Sequence, residues 1–330
     1  MDTLLLSQPE IQSLISMKDA VEIVEKTFQG MGEGTVANPT KVGLDLGEIA
    51  PWPPYAGFMN AMPAYVGWLD SAGIKWAGGF LGNAALGLPY ISSLILLIDP
   101  RTGQFRAVMD GALITNLRTG AQSAVPLKRL LPGRTIRLSL FGAGAQGRTQ
   151  TRAVAEVFEI ELLTVFDIRR AAAEQFAAEM QSVVKGRIVI ADSPEQAAKA
   201  GDAVICVTQS KDKFVRQAWL KPGAVLFPMG SYQECEDEVI LQADKIIVDH
   251  VGQCLHRGAL RELSEAGRIT EKHIYATIGE VVAGKKPGRT SATERIVCIP
   301  IGTGAMDIAV ATVAYQRALD QKLGGRYAFV

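Results

Sequence analysis

The sequence is poor in the features that mark whole classes of protein. Lysine and arginine number 34, as do aspartate and glutamate, so there is no net charge. Without an excess of either sign no global field gathers nucleic acid or an anionic membrane, and small molecules are the expected partners. Cysteines number 4, at positions 206, 235, 254 and 298, with no C-x-x-C spacing. That argues against a disulfide framework or a thiolate metal site and fits a reducing compartment, the cytoplasm. Histidines number 3 (His250, His256 and His273) and are not arranged as metal ligands, so no metal is expected. The longest apolar run, around residues 94–98, is too short to cross a bilayer, and no basic stretch precedes the short apolar segment at the N-terminus. Neither an anchor nor an export signal is therefore expected. Internal repeats and low-complexity tracts are absent. What is present is 330 residues, 48% hydrophobic, enough for one large or two moderate domains with proper cores.

The most informative stretch is residues 136–147, I-R-L-S-L-F-G-A-G-A-Q-G, an apolar run leading into Gly142-x-Gly144-x-x-Gly147. A first glycine permits a sharp turn after a strand, a second lets the backbone approach a pyrophosphate, and a third lets the following helix pack closely. The phosphates then lie at a helix N-terminus. Residues 148–157 are helix-competent, and a second strand-like run, 162–166, ends at Asp167. An acidic residue roughly twenty positions beyond the glycines accepts hydrogen bonds from an adenosine ribose. The context predicts a dinucleotide site at Gly142, Gly144, Ala145, Gln146, Gly147 and Asp167, with Ile168 and Arg169 beside it. A carboxylate at position 167 repels a ribose phosphate and favours NAD over NADP, a preference that Arg169 and Arg170 soften.

Around this motif the chain divides by texture. Ser16 to Asp19 resembles a capping box, and Ala20, Val21, Ile23, Val24 and Phe28 recur at helical spacing until Gly30, Gly32 and Gly34, which predict its end. Residues 40–100 read as short strands of an antiparallel or mixed sheet, and 112–130 as a helix. Trp52, Pro53, Pro54 and Tyr55 read as a loop. After Pro132, strand runs at 188–190, 203–207, 224–228 and 245–249 alternate with helical stretches, the pattern of a doubly wound sheet. An alanine-rich helix over 306–323 is expected to return to the N-terminal part. The fold class expected is α/β, a Rossmann doubly wound domain (132–305) plus an α+β substrate and dimerisation domain (1–131 with 306–330). Asp249-His250 ends a strand, and Glu234, Glu236, Asp237 and Glu238 read as a solvated helix start.

Lys75, in G-I-K-W-A-G-G, and Arg118, in T-N-L-R-T-G-A, are cations in apolar, glycine-rich settings and together suggest an anion site. Ile74-Lys75-Trp76 with Asn83, the 116–121 segment N-L-R-T-G-A, the 142–147 motif and the 302–307 segment G-T-G-A-M-D resemble, in order and spacing, the ornithine cyclodeaminase and mu-crystallin family. That family includes archaeal-type alanine dehydrogenases and ketimine reductases.

The resemblance implies a homodimer or larger assembly acting on a small amino or imino acid, with NAD as cofactor. Lys75 and Arg118 would hold the substrate α-carboxylate and carry the catalysis. Lys41 falls where many relatives place a further carboxylate-binding arginine, and its partner could be a second carboxylate on the substrate. Asn60, Tyr232 and Thr303 complete the substrate candidates. Thr208, Pro228, Met229 and Gly230 would contact the cofactor, with Arg118, Thr119 and Tyr90 as further candidates.

The departures bear on the reaction. Cyclodeaminases carry an aspartate shortly after the strand ending near Met229, where this chain has Tyr232, and a glutamate where it has Asn60. Both carboxylates expected for a side-chain amine are missing. Hydride transfer at the α-carbon, as imine reduction or amino-acid dehydrogenation, is therefore the leading expectation. A cyclodeaminase using Tyr232 or Glu234 is the runner-up, and a nucleotide-dependent binding protein of mu-crystallin type is the alternative from another class.

Overall fold

The computed structural model describes residues 2–47 and 57–329; the loop expected at Trp52, Pro53, Pro54 and Tyr55 lies outside them. Two compact units form, Met1–Arg118 with Thr303–Val330, and Thr119–Gly302.

In the first unit, β1 (Thr3–Leu6) leads to α1 (Gln8–Leu14) and α2 (Met17–Glu33). Ser16 and Asp19 form the capping box at the start of α2. The helix runs through Gly30 and Gly32, however, and ends only at Gly34, whose left-handed φ of 81° suits a C-cap. Gly30 is buried where an added Cβ would meet Thr35 and Val36 at 3.0 Å, so the small residue serves close packing inside the helix rather than its termination. Then follow β2 (Val36–Ala37), β3 (Val42–Asp45), β4 (Gly57–Val66), β5 (Ser71–Phe80), β6 (Ile91–Ile98) and β7 (Phe105–Asp110), and the helix α3 (Ala112–Leu130).

The second unit alternates strand and helix: β8 (Thr135–Phe141), α4 (Ala145–Val157), β9 (Glu159–Phe166), α5 (Arg170–Met180), β10 (Arg187–Ile190), α6 (Pro194–Ala200) and β11 (Ala203–Cys206). It continues with β12 (Val225–Pro228), α7 (Asp237–Leu241), β13 (Lys245–Val248), α8 (Val251–Cys254), α9 (Arg261–Glu265), β14 (Ala276–Thr277), α10 (Ile278–Val282) and β15 (Ile296–Ile299). The chain then returns to the first unit as α11 (Gly304–Gln321) and β16 (Gly325–Tyr327).

The first unit is α+β. Its sheet runs β16-β1-β7-β6-β5-β4-β2 with β3 also on β4, and all its pairings are antiparallel except that of β1 with β7. Alanine-rich α11 lies on β4, β5 and β6, close enough that a Cβ at Gly304 would stand 2.4 Å from the Met62 carbonyl. Arg317 fastens the helix, donating to the Leu14 carbonyl at 2.6 Å and to Asp19 at 2.7 Å.

The second unit is a Rossmann doubly wound domain. Its sheet is parallel throughout, in the order β10-β9-β8-β11-β12-β15-β13-β14, so the order reverses between β8 and β11. The division between units falls inside α3, between Arg118 and Thr119, and not in the loop near Pro132. Gly120 of α3 packs closely against α4, a Cβ there being only 2.5 Å from the Thr149 carbonyl. All 4 cysteines are buried and unpaired. Among the described residues no helix is long and apolar enough to cross a membrane, and no acidic, histidine or cysteine group is suited to a metal.

Candidate functional site

Alternation along β5 turns Lys75 to the face covered by α11, where it is only 2% exposed. The counter-charge comes from α11 itself. Asp307, in its first turn and 0% exposed, takes Lys75 Nζ at 2.8 Å on one oxygen and Arg118 Nε at 3.0 Å on the other. Thr115 stands one turn before Arg118 on α3; its hydroxyl accepts from Lys75 at 3.4 Å and donates to Asp307 at 3.4 Å. A carboxylate in a helix's first turn is also favoured by the helix dipole.

Burial and the neighbouring Arg118 lower the Lys75 pKa to about 7, with Lys41 adding to the shift and Asp307 opposing it. Burial alone would raise Asp307, but the Arg118 and Lys75 charges outweigh it and hold the carboxyl below its usual range. One carboxylate thus faces two cations, an arrangement that suits a second, incoming carboxylate. Lys41 precedes β3, and its charge is felt at Lys75. Asn60 pairs with Ala77 across β4 and β5, on the Lys75 face and buried. Thr303 is the buried N-cap of α11, and its hydroxyl makes no hydrogen bond among the described residues. Tyr90 lies at the entry to β6, where its carbonyl accepts from Phe80 at 3.0 Å. Tyr232 belongs to the other unit, half exposed under the Lys211 ammonium. The sequence motif that contains Asp307 carries no hint of its partners, which come from β5 and α3.

In the Rossmann unit the three glycines differ as the spacing predicts. Gly142 has φ of 100°, with room for a Cβ denied by the Val207 carbonyl at 2.8 Å. Gly147 would drive a Cβ to 2.3 Å from the Gly142 carbonyl, whereas Gly144 has nothing within 4 Å. The open side of Gly144 is where a pyrophosphate would lie, at the N-terminus of α4 with Ala145 and Gln146. Asp167, at the end of β9, accepts from the Ala143 N–H at 2.9 Å and the Arg169 N–H at 2.9 Å. It braces the glycine turn, and its carboxylate still has lone pairs for ribose hydroxyls. Ile168 is 92% exposed beside it. Arg148, which the motif does not single out, donates to the Ala143 carbonyl at 2.6 Å and the Gly144 carbonyl at 3.2 Å while paired with Glu179. It thereby holds the turn's carbonyls on its own side.

At the ends of β11 and β12 the sequence expectation needs correcting. Glu236, at the N-cap position of α7, pairs with Arg216, and Asp237 pairs with Lys213 and Arg268. Glu234, however, is 0% exposed and is no part of a solvated helix start. Its carboxylate accepts from the Thr208 N–H at 2.8 Å, the Thr208 hydroxyl at 2.6 Å and the Gly230 N–H at 2.8 Å. A run of acids looks solvated unless backbone donors from another loop meet one of them, which local sequence does not show. Met229 donates its N–H to the Cys206 carbonyl at 2.9 Å, Pro228 ends β12, and the Thr119 carbonyl accepts from Gln150. Of the histidines, His250 caps α8 through Nδ1 and His273 bonds Thr270. Asp249 is buried, holding the Gly302 N–H at 2.6 Å and the Cys254 thiol, a role in fixing the backbone.

Comparison with known proteins extends over the same ground. Residues 1–322 match the ornithine cyclodeaminase/mu-crystallin family. Alanine dehydrogenase of Archaeoglobus fulgidus is 34% identical, covering 100% of this chain and 99% of its own. A solved archaeal alanine dehydrogenase dimer with bound NAD is 33% identical and covers 100% of both chains at a TM-score of 0.91. The Δ1-pyrroline-2-carboxylate reductase of Thermococcus litoralis, solved with NADH and L-proline, is 32% identical and covers 98% of this chain and 99% of its own, also at 0.91. The likeness runs through the α+β unit as well as the nucleotide unit, which a shared Rossmann fold alone would not produce, and the chain therefore belongs to the ornithine cyclodeaminase/mu-crystallin family.

Proposed function

We propose that the protein is an NAD-dependent oxidoreductase that interconverts a small α-imino acid and an L-amino acid, as an imine reductase or amino-acid dehydrogenase. The observation that carries this reading is the buried Lys75–Asp307–Arg118 cluster, with two cations on one carboxylate, in a chain whose other unit is built for a dinucleotide. Gly142, Gly144, Gly147 and the start of α4 fit a pyrophosphate, and Asp167 fits an adenosine ribose without a phosphate. NAD, when bound, supplies or accepts a hydride at its nicotinamide ring.

The chain's own residues do the rest. The planar fork of Arg118 suits bidentate recognition of an α-carboxylate, and Lys75 adds a second positive charge. Fixing the carboxylate orients the α-carbon, a contribution to rate that can reach several orders of magnitude. With a pKa of about 7, Lys75 Nζ can give a proton to the substrate nitrogen or take one from it near neutral pH. Asp307 holds both cations in place and keeps the Lys75 pKa from falling further. Lys41 and Thr303 stand ready for the remainder of a small substrate.

Cyclodeamination is disfavoured by what lies at the two departures. Asn60 supplies an amide where a distal ammonium needs a carboxylate, and the nearest acid to Tyr232 in sequence, Glu234, has its oxygens occupied by Thr208 and Gly230. The deciding experiment follows NADH absorbance with ammonium and pyruvate, glyoxylate or oxaloacetate, and with pyrroline-2-carboxylate, beside an assay of ammonia release from ornithine. The expected result is NADH consumption lost in Lys75→Ala and Arg118→Ala. Efficient ammonia release from ornithine would instead establish a lyase.

The same reading takes the protein to be a homodimer. On the sheet face away from α11, Trp76 is 50% exposed opposite Leu94, with Val42 and Leu44 exposed on β3. An apolar face of this kind marks an association surface, and a second copy is the partner we assign to it.

A further inference from the structure

Glu234 gathers two loops onto one buried carboxylate. Thr208 follows β11 and Gly230 follows β12, and both donate to it. The second loop closes tightly, since a Cβ at Gly230 would come within 2.7 Å of the Glu234 carboxyl carbon. In a doubly wound sheet a dinucleotide lies across the point where strand order reverses, one mononucleotide on each half. Here that point is between β8 and β11, and Asp167 on the β9 side marks the adenosine half. The loops after β11 and β12 therefore serve the nicotinamide half.

The surroundings make an ionised carboxyl here expensive to keep for packing alone. The titratable groups facing it are thiols: Cys206 on β11 and Cys235 next in sequence, both pushed upward by burial and hence neutral. Lys213 and Asp237 act on Cys235, and Lys213 pairs with Asp237. Converging donors require a group that only accepts, and a carboxylate is the side chain that does so with both oxygens. Burial opposes that charge and raises the Glu234 pKa to about 7, against the hydrogen bonds from Thr208 and Gly230 that lower it.

We infer that Glu234 is a positioning residue that fixes the two loops receiving the nicotinamide half of the cofactor, so that its ionised form sets affinity for that half and leaves the adenosine half unaffected. The inference rests on the NAD reading above. Its geometry implies a pH dependence as well. Below about 7 the carboxyl gains a proton, becomes a donor at one oxygen, and loses an acceptor that the loops use.

The test measures NADH binding by nicotinamide fluorescence and ADP-ribose binding by calorimetry between about pH 6 and 9, with ellipticity as a check on folding. Glu234→Gln and Thr208→Val are expected to weaken NADH roughly tenfold, the size of one charge-assisted hydrogen bond, and to leave ADP-ribose within about twofold. Thr208→Ser, which keeps the hydroxyl, is expected to restore NADH binding. Wild-type affinity for NADH should fall as pH drops through about 7, while Glu234→Gln stays flat. If Glu234→Gln does not fold, the Thr208 pair decides alone. Unchanged NADH binding in the variants, or equal losses for NADH and ADP-ribose, would overturn the inference. A wild-type protein that binds neither ligand would remove the NAD reading itself, and the inference with it.

Discussion

On the proposed function, the two units prepare for anions by opposite means. The α+β unit uses charge: Lys75 and Arg118 are buried and balanced by Asp307. The Rossmann unit uses geometry: a glycine turn, an uncapped helix start and an open side at Gly144. Buried cations need a counter-ion, which here comes from a helix 189 residues from Arg118 in sequence. Backbone donors need only room, which residues 142–147 provide consecutively. A charge site is therefore titratable and can do proton chemistry, whereas the glycine turn and the start of α4 carry no titratable group, so the pyrophosphate contact itself has no proton to lose. On the proposed function, this divides a reacting centre from a cofactor handle.

The strongest way to break the comparison is to remove the counter-ion. Asp307→Asn keeps the shape of the side chain but leaves Lys75 and Arg118 unbalanced. We expect kcat/KM to fall about a hundredfold, within the range of general acid–base effects. The sign of the accompanying pH shift is fixed. Asp307 raises the Lys75 pKa, so its loss lowers that pKa further, and the limb of the kcat/KM profile near pH 7 should move toward acid. A profile that keeps its limb in place would mean that Lys75 is not the titrating group.

A paired substitution sharpens the geometric side. Gly144→Ala adds a methyl group where the protein has open space, and Gly147→Ala adds one 2.3 Å from a carbonyl. Both should weaken NADH by roughly tenfold or more, equivalent to about 1.4 kcal/mol. Only Gly147→Ala should also lower the melting temperature, because only there must the turn and α4 separate. If Gly144→Ala melts early as well, the loop is stiff for reasons of folding and not of ligand access.

The smallest effect concerns cofactor choice. Asp167→Ser removes the charge that repels a ribose phosphate, with Arg169 close by at 3.9 Å. The preference for NADH over NADPH in kcat/KM should shrink by about fivefold, or about 1 kcal/mol. Because Asp167 also braces the Ala143 N–H, some loss with NADH itself is expected.

The same contrast explains what could be read in the amino-acid order. The Rossmann unit was legible because its signals are local: strand, glycines, helix, strand and acid follow one another, and β8, α4 and β9 fall within three residues of the pattern. Lys75 and Arg118 stood out as cations among small and apolar neighbours, but their roles came through family resemblance. Asp307 and Glu234 stayed silent for one physical reason. Each is explained by partners brought from other segments, and an acid on a helix or in an acidic run looks solvated until the fold buries it. Gly30 and Gly32 misled in the reverse direction: both lie inside α2, and the close approach of Thr35 and Val36 that calls for a small residue at Gly30 is invisible locally.

The most direct test of the central claim follows the hydrogen itself. NADH deuterated at the transferable C4 position is incubated with the enzyme and the imino acid it accepts, and the amino-acid product is examined by proton NMR and mass spectrometry. The account predicts one deuterium at the α-carbon and none elsewhere, with no labelled product from Arg118→Ala. A product lacking deuterium at the α-carbon would contradict it.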